Sequence, residues 1–236
     1  MSKRSKAAIR ATGLGKSYFG SPALHPLDLT VPIGERVTII GHNGSGKTTL
    51  IRMLAGLLEP TDGHAEILGE QIGSTPARAA ISYISDQPVF YDDLSVWQHL
   101  EYVARLHDTA DWEEHATALV GALGLTDRAD DLPATFSRGL KQKAQIAIGF
   151  IRPFDVLLVD EPFVGLDRVG REALLELLRS AHADGAALLI ATHELTTVRE
   201  GSRLIALSGG ELLYDGSPTD ADVAALTEGV APSTDG

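Results

Sequence analysis

Cysteine is absent from the 236-residue sequence. Its absence excludes disulfide bonds, thiolate zinc sites, iron–sulfur clusters and a cysteine nucleophile. Long apolar stretches are absent too, because no run approaches the roughly 18 residues that a membrane-spanning helix needs. The basic side chains in residues 1–6 are not followed by the apolar segment of a secretory signal. We therefore expect a soluble, cytoplasmic protein, for which any role at a membrane depends on a partner.

Basic side chains are scarce relative to acidic ones. The chain has 20 lysines and arginines against 32 aspartates and glutamates, which gives a formal net charge of −12. This balance argues against a general nucleic-acid-binding protein, since such proteins usually carry a basic excess. Half of the net charge lies in residues 211–236, which contain no lysine or arginine and the following acidic residues: Glu211, Asp215, Asp220, Asp222, Glu228 and Asp235. We expect residues 227–236 to be a disordered acidic tail.

Four short apolar runs indicate the fold class. They cover residues 36–40, 80–84, 156–159 and 187–191, and a polar or glycine-rich segment follows each one. Such runs are typical of strands that are buried on both faces of a parallel sheet, although a short buried helix has the same pattern. The polar groups that follow favour strands, because ligands bind beyond the carboxyl ends of parallel strands.

Helical patterns alternate with these runs, so we predict an α/β fold. Ser95 and Gln98 have the spacing of a capping box at the start of one helix. The predicted helices cover residues 48–58, 95–106, 112–123, 137–152 and 171–183, and the predicted hairpins cover residues 65–72 and 203–214.

Residues 88–152 are mostly helical and interrupt the series of strands. We interpret them as a helical subdomain inserted into a single domain that covers residues 1–226. The core of that domain is predicted to consist of residues 1–87 and 153–217.

A glycine-rich segment directly follows the first apolar run. Residues 41–48 read GHNGSGKT and match the pattern G-x-x-x-x-G-K-[ST] of a phosphate-binding loop. The backbone amides of such a loop surround phosphate oxygens, and the following helix adds the positive end of its dipole. Lys47 supplies a charge for the β- and γ-phosphates, and the Thr48 hydroxyl is a ligand for Mg²⁺. The predicted nucleotide-binding residues of this segment are Gly41, His42, Asn43, Gly44, Ser45, Gly46, Lys47, Thr48 and Thr49.

Two adjacent carboxylates follow the third apolar run. Asp160 can hold Mg²⁺, as the second acidic element of P-loop enzymes does. The Glu161 side chain is expected to point away from that of Asp160, to a position where it can accept a proton from an attacking water. An Asp–Glu pair after a strand more often caps the next helix. The prediction of a catalytic pair therefore depends on its coexistence with the phosphate-binding loop.

In this order the motifs resemble the nucleotide-binding subunit of an ABC transporter, over roughly residues 9–217. Three more positions match that family. Tyr18 stands where an aromatic ring stacks on adenine, and Gln87 stands where a glutamine reaches Mg²⁺ and faces the membrane subunit. His193 stands where a histidine contacts the γ-phosphate. The resemblance implies a P-loop NTPase (RecA-like) parallel sheet with an antiparallel β subdomain and an inserted helical subdomain.

The resemblance also implies an ATPase with ATP and Mg²⁺ as its cofactors. Three side chains match the family's catalytic positions: Lys47, Glu161 and His193. The side chains at the metal positions are Thr48, Gln87 and Asp160.

The family's signature motif corresponds to residues 136–140, which read FSRGL where Leu-Ser-Gly-Gly-Gln is usual. Ser137 and Gly139 are retained, whereas Arg138 replaces a glycine and Leu140 replaces the glutamine. The resemblance implies a head-to-tail dimer in which Ser137 and the backbone at Gly139 bind the γ-phosphate held by the other subunit. This motif, with the sequence DEPFVGLD at residues 160–167, is closer to bacterial exporter ATPases than to importers.

Two kinds of partner follow from the resemblance. One is a second ATPase subunit, in a homodimer or a heterodimer that ATP closes and hydrolysis reopens. The other is a separate transmembrane permease, which would hold this chain at the inner face of the cell membrane. No nucleic-acid partner is expected, and the transported substrate is not indicated because the permease selects it.

Other functions stay open on the sequence. Non-transport ATPases that act on ribosomes or DNA share these motifs, but ribosomal versions usually carry two such domains. DNA-repair versions insert long segments between the positions of Lys47 and Ser137, which here are 90 residues apart. A P-loop small-molecule kinase would lack the signature motif and His193. A regulatory dimer without turnover is disfavoured by the retained Asp160 and Glu161.

Overall fold

The computed structural model describes residues 7–230. Ten strands and eight α-helices form within that range. The strands are β1 (Ala7–Tyr18), β2 (Ser21–Pro32), β3 (Arg36–Ile40), β4 (Asp62–Ile67), β5 (Glu70–Gln71), β6 (Ile81–Ile84), β7 (Val156–Asp160), β8 (Ala187–Ala191), β9 (Arg203–Ser208) and β10 (Glu211–Gly216). The helices are α1 (Lys47–Leu54), α2 (Thr75–Ala80), α3 (Val96–Leu106), α4 (Trp112–Ala122), α5 (Arg138–Phe150), α6 (Arg168–Ala183), α7 (Leu195–Glu200) and α8 (Val223–Thr227). None of these helices is both long enough and apolar enough to cross a membrane.

The larger sheet has six strands in the order β10-β9-β3-β8-β7-β6. All its neighbouring strands are parallel except β9 and β10, which form an antiparallel hairpin. Every residue of β3, β7 and β8 is buried, so these strands have continuous rather than alternating patterns. Their carboxyl ends lie at one edge of the sheet. The predicted α/β class with a parallel sheet is confirmed.

The smaller sheet is antiparallel, in the order β2-β1-β4-β5, which confirms the predicted antiparallel subdomain. Sequence patterns located β4 and β5 but not the two long strands β1 and β2. β1 contains Gly13 and Gly15, and its pairing with β2 shifts register between Ala11 and Lys16. β2 contains several prolines. Glycines, prolines and register shifts remove the regular alternation by which a strand is recognised.

Two helices begin at the caps that the sequence predicts. Ser95 and Gln98 form the predicted capping box of α3, and the Ser137 hydroxyl accepts a hydrogen bond from the Leu140 amide at the start of α5. Two helix boundaries differ from the prediction by three residues or more. α1 ends at Leu54 and not at 58, because the chain turns at Gly56, which has φ 71°. α6 begins at Arg168 and not at 171, because the Asp167 side chain caps it.

The helical insertion packs closely against the larger sheet. α3, α4 and α5 share a core with one face of β7 and β8. Near the carboxyl end of α5, the Ser82 hydroxyl donates to the Gly149 carbonyl at 2.6 Å. A Cβ atom on Gly149 would lie 2.9 Å from Ile84 Cγ1. Glycine at this position therefore allows α5 to touch β6.

The carboxyl-terminal segment packs against the main sheet as far as it is described. Leu226 of α8 is buried with Ile40 and Ala206. The segment predicted to be disordered, residues 227–236, starts at the last residue of α8, and its residues 231–236 lie outside the described part of the chain. The predicted domain boundaries stay predictions.

Candidate functional site

The loop between β3 and α1 has a conformation that requires glycine. Gly41 has φ 147°, and Gly46, which precedes α1, has φ 104°. A Cβ atom on Gly41 would lie 2.1 Å from the Leu207 carbonyl oxygen and 2.6 Å from Ser45 Oγ. The spacing of glycines in the sequence therefore reflects two backbone positions that a side chain would disrupt.

Lys47 lies inside this loop. Its side chain is 6% exposed, and Nζ donates to the Gly41 carbonyl at 2.5 Å and to the His42 carbonyl at 3.3 Å. Burial lowers the pKa of Lys47, and the carboxylates of Glu161 and Asp160 oppose that shift. The ammonium group is thus held at the amino-terminal end of α1 by two loop carbonyls, with the Glu161 carboxylate 3.7 Å away.

Asp160, the last residue of β7, is fully buried. Neither carboxylate oxygen has a hydrogen-bond partner with ordinary geometry among the described residues. Burial raises the pKa of Asp160 to about 6, although the Thr48 hydroxyl is near enough to oppose the rise. Buried carboxylates are normally satisfied. Two unsatisfied oxygens beside a hydroxyl fit a hard cation such as Mg²⁺, which prefers oxygen ligands.

Glu161 turns away from the strand with a left-handed backbone, φ 44°. Its amide donates to the Ala191 carbonyl of β8 at 2.9 Å, and its Oε1 lies 3.7 Å from Lys47 Nζ. Burial raises the pKa of Glu161, and the charge of Lys47 opposes the rise. Non-glycine residues in this backbone region are uncommon and often occur at functional sites.

His193 brings a third group to the same place. It is the second residue after β8, and its Nε2 lies 3.1 Å from Glu161 Oε1. Burial and the charge of Lys47 lower the pKa of His193. The imidazole nitrogen is therefore within contact distance of the carboxylate. The structure thus brings together Lys47, Glu161 and His193 at the carboxyl ends of β3, β7 and β8.

A cavity of about 320 Å³ opens in front of Lys47 and Glu161, whereas four other predicted site residues are not part of its lining: Gly41, His42, Asp160 and His193. Three lining residues lie outside the predicted loop, namely Ala23, Asp86 and Glu161. The others belong to the predicted loop: Asn43, Gly44, Ser45, Gly46, Lys47, Thr48 and Thr49. Within the described chain, no group of three or more His, Cys, Asp or Glu side chains is arranged to hold a metal ion alone. This is typical of Mg²⁺ sites, in which phosphates and water supply most ligands.

Sequence reasoning missed Asp86. It lies two residues after the end of β6, and its carboxylate is 3.3 Å from Arg52 Nη2 of α1. Its negative charge also contributes to the raised pKa values of Asp160 and Glu161. The signal that could have identified it is its position just beyond a strand of the parallel sheet.

Gln87 and Tyr18 do not line this cavity. Gln87 is exposed, and its main-chain carbonyl accepts a hydrogen bond from the Ser85 hydroxyl at 2.7 Å. Tyr18 ends β1 and is 46% exposed, with Lys16 Nζ 5.3 Å from the ring centroid. Their predicted contacts with Mg²⁺ and adenine stay predictions.

Ser137 and Gly139 lie outside the cavity as well. Ser137 is exposed at the start of α5. Gly139 packs on the turn before α6, where a Cβ atom would lie 2.4 Å from the Gly165 carbonyl oxygen. One chain therefore keeps its signature residues apart from its own phosphate-binding loop.

Comparisons with known proteins agree with this geometry. The family model described as "ABC transporter" matches residues 24–164. The ABC-type transporter ATP-binding protein EcsA of Bacillus subtilis (strain 168) is 34% identical over 85% of this chain and 83% of its own length. The daunorubicin/doxorubicin resistance ATP-binding protein DrrA of Streptomyces peucetius is 33% identical over 92% of this chain and 67% of its own length. A solved structure of the ATP-binding subunit of an ABC transporter is 31% identical, covers 95% of both chains and has a TM-score of 0.85.

Proposed function

Because the chain belongs to the ABC transporter family, we propose that it is the ATP-hydrolysing subunit that powers a separate transmembrane permease. ATP is the nucleotide that this family binds and hydrolyses. The observation that carries the proposal is the contact between Glu161 and His193 beside Lys47, at the mouth of the phosphate-binding loop. A phosphate site without a base would not need such a cluster.

The triphosphate is proposed to bind to the backbone amides of residues 41–46 and to Lys47. The Lys47 ammonium would exchange its bonds to the Gly41 and His42 carbonyls for phosphate oxygens. Two further carboxylates, Asp86 and Glu161, line the same cavity. The protein alone is thus an unfavourable environment for a polyanion, and a divalent cation is needed to balance the charge.

Thr48 and Asp160 are the residues proposed to hold Mg²⁺. When bound, Mg²⁺ would neutralise phosphate charge. Gln87 is exposed in this structure, so it would join the site only after its segment moves toward the cavity.

Glu161 is the proposed general base. Its raised pKa brings the carboxylate closer to the range in which it can take a proton from water and release it again. His193 Nε2 lies 3.1 Å from Glu161 Oε1, and His193 is the proposed contact to the γ-phosphate. Lys47 balances the negative charge of Glu161 while the phosphates are absent.

A dimer would complete the site. Ser137 and Gly139 are proposed to bind the γ-phosphate of a second ATPase subunit, and Tyr18 to stack on adenine. The support for this proposal is that both signature residues lie outside the chain's own cavity, with the Ser137 side chain at an exposed helix start.

The permease is proposed to dock where the helical insertion meets the core. A groove of about 320 Å³ there is lined by Leu57, Val89 and Ile148, among others. Leu57 is 65% exposed and Val89 is 90% exposed, which is unusual for apolar side chains in one groove. The chain would then lie at the inner face of the membrane. The similarity to a drug-resistance ATP-binding protein supports export as the direction.

Replacing Glu161 by Gln tests the hydrolytic proposal. We expect the variant to bind ATP normally, to accumulate as a closed dimer and to lose turnover by about 100-fold or more, because the base is removed. Nucleotide titration, size-exclusion chromatography and phosphate release measure the three properties. Normal hydrolysis by this variant would exclude Glu161 as the base.

Co-purification from membranes tests the transport role. A multi-helix membrane protein that remains bound to the chain is the expected result. Association with ribosomes would contradict it and favour a non-transport ATPase.

A further inference from the structure

The turn that carries His193 is held from outside the nucleotide cavity. Glu194 follows the histidine, and its amide donates to the Thr192 hydroxyl at 3.0 Å. Although Glu194 occupies the N-cap position of α7, its carboxylate accepts no hydrogen bond from the helix amides. That carboxylate pairs with the guanidinium of Arg171 on α6. The side chain therefore ties the turn to a different helix instead of capping its own.

Arg171 is itself held in place by an aromatic ring. Its guanidinium carbon lies 5.8 Å from the centroid of the Phe163 ring, a distance at which cation and ring attract each other. Phe163 is only 6% exposed. Because the ring is buried, its position is fixed by packing, and the guanidinium that rests on it is restricted in turn.

The two contacts of Arg171 join the segments that carry the catalytic pair. Phe163 lies two residues after Glu161, and Glu194 lies one residue after His193. We propose that Arg171 is a positioning residue for ATP hydrolysis, which holds His193 Nε2 at 3.1 Å from Glu161 Oε1 through its contacts with Phe163 and Glu194. The inference rests on the proposed roles of Glu161 and His193.

α6 also provides a matched control. Arg168 pairs with Glu172 at 3.8 Å, within the same helix, and the Arg168 side chain is 86% exposed. This pair has the same chemistry and lies one turn away, but it connects no second segment. Exposed pairs of this kind contribute little to stability.

The first test replaces Arg171 by Met, which keeps the aliphatic stem and removes the charge. In steady-state phosphate release by the purified full chain with Mg²⁺, we expect kcat to fall by about 10- to 100-fold, because small displacements of catalytic groups are costly. KM for ATP should change by less than about threefold. Arg171→Lys should recover part of kcat, and Arg168→Met should leave both constants unchanged. Equal losses in kcat, ATP affinity and thermal midpoint would indicate a merely structural role and overturn the proposal.

A double-mutant cycle tests the path through Glu194. Glu194→Gln should reduce kcat as Arg171→Met does, and the double variant should lose no more than either single one. Additive losses would overturn the proposal. In a His193→Ala background, Arg171→Met should have no further effect. A low kcat for His193→Ala together with a normal kcat for Arg171→Met would overturn the positioning role of Arg171 and leave the proposed function intact. A normal kcat for His193→Ala would instead refute the proposed role of His193.

Discussion

The strand-end cavity and the start of α5 differ in burial: the charged side chains of Lys47 and Asp160 near the cavity are buried, whereas Ser137 and Arg138 at the start of α5 are exposed. Lys47 and Asp160 are almost inaccessible, and both Asp160 oxygens are unpaired within the described chain. Ser137, by contrast, caps its own helix, and Arg138 is exposed. We therefore expect the cavity to bind nucleotide in a single chain, and we expect the start of α5 to act only against another molecule.

The largest expected effect is a loss of stability when a side chain is added to the loop between β3 and α1. Gly41→Ala should lower the free energy of unfolding by about 3 kcal/mol or more, because the added Cβ would lie 2.1 Å from a carbonyl oxygen. Chemical denaturation measures the change. Gly44→Ala is the control: nothing lies within 4 Å of that Cβ, and only its positive φ is unfavourable, so about 1 kcal/mol is expected. Equal costs in the two variants would show that the loop is not tightly packed.

The contact between Gly139 and the turn before α6 allows a test at the start of α5. Gly139→Ala would place a Cβ atom 2.4 Å from the Gly165 carbonyl oxygen and displace the start of α5. We expect turnover to fall by about 100-fold, whereas ATP affinity of the single chain stays within about threefold. Calorimetric titration and phosphate release separate the two quantities.

Gly121→Ala on α4 is the matched variant, since nothing lies within 4 Å of its added Cβ. It should leave turnover unchanged and stabilise the helix by up to about 1 kcal/mol. If Gly139→Ala weakened ATP binding as much as turnover, the two regions would be coupled within one chain.

Replacing Asp160 by Asn should raise the stability of the folded chain but weaken its binding of Mg²⁺ with ATP. Its folded-state pKa of about 6 lies above the ordinary value of 3.8, so ionisation destabilises the folded chain increasingly as pH rises from about 4 to about 6. Asp160→Asn removes that charge. At pH 7 in the presence of a chelator, the free energy of unfolding of the variant should be about 1 to 3 kcal/mol higher than that of the parent. The variant should, however, gain less stability than the parent when Mg²⁺ and ATP are added. Thermal unfolding with and without the ligands checks both; a less stable metal-free variant would contradict the first expectation.

The smallest effect is expected at Arg138. Its side chain is exposed outside the chain's own cavity, so Arg138→Gly should change ATP affinity of the single chain by less than about twofold. Equilibrium titration with nucleotide measures it. A large loss of affinity would mean that the signature segment is misidentified and that the contrast between the two regions is wrong.

The cavity was more predictable from the sequence than its surroundings. Residues 41–48 and the pair Asp160–Glu161 follow apolar runs that are buried on both faces, and such runs are specified locally. The meeting of β3, β7 and β8 at one edge follows from parallel pairing. Local patterns thus sufficed to bring Lys47 and Glu161 together, whereas His193 was assigned only from the family resemblance.

Other features depend on contacts between distant residues. Asp86 reaches the cavity because Arg52 of α1 lies beside it, and no local pattern encodes that pair. The β1–β2 pair is irregular because of its glycines and prolines. The link from Phe163 through Arg171 to Glu194 joins three separate segments, so it could be found only in the folded chain.

The contact at Gly149 has a mechanical consequence. It fastens the carboxyl end of α5 to β6, whereas Ser137 lies twelve residues away at the other end of the helix. At 1.5 Å per residue, α5 forms a lever of about 18 Å. A tilt of about 10° around Gly149 would carry Ser137 through about 3 Å, roughly the length of one hydrogen bond. A small rotation of the helical insertion would therefore move Ser137 far enough to make or break the contact that we propose with the γ-phosphate of a second subunit.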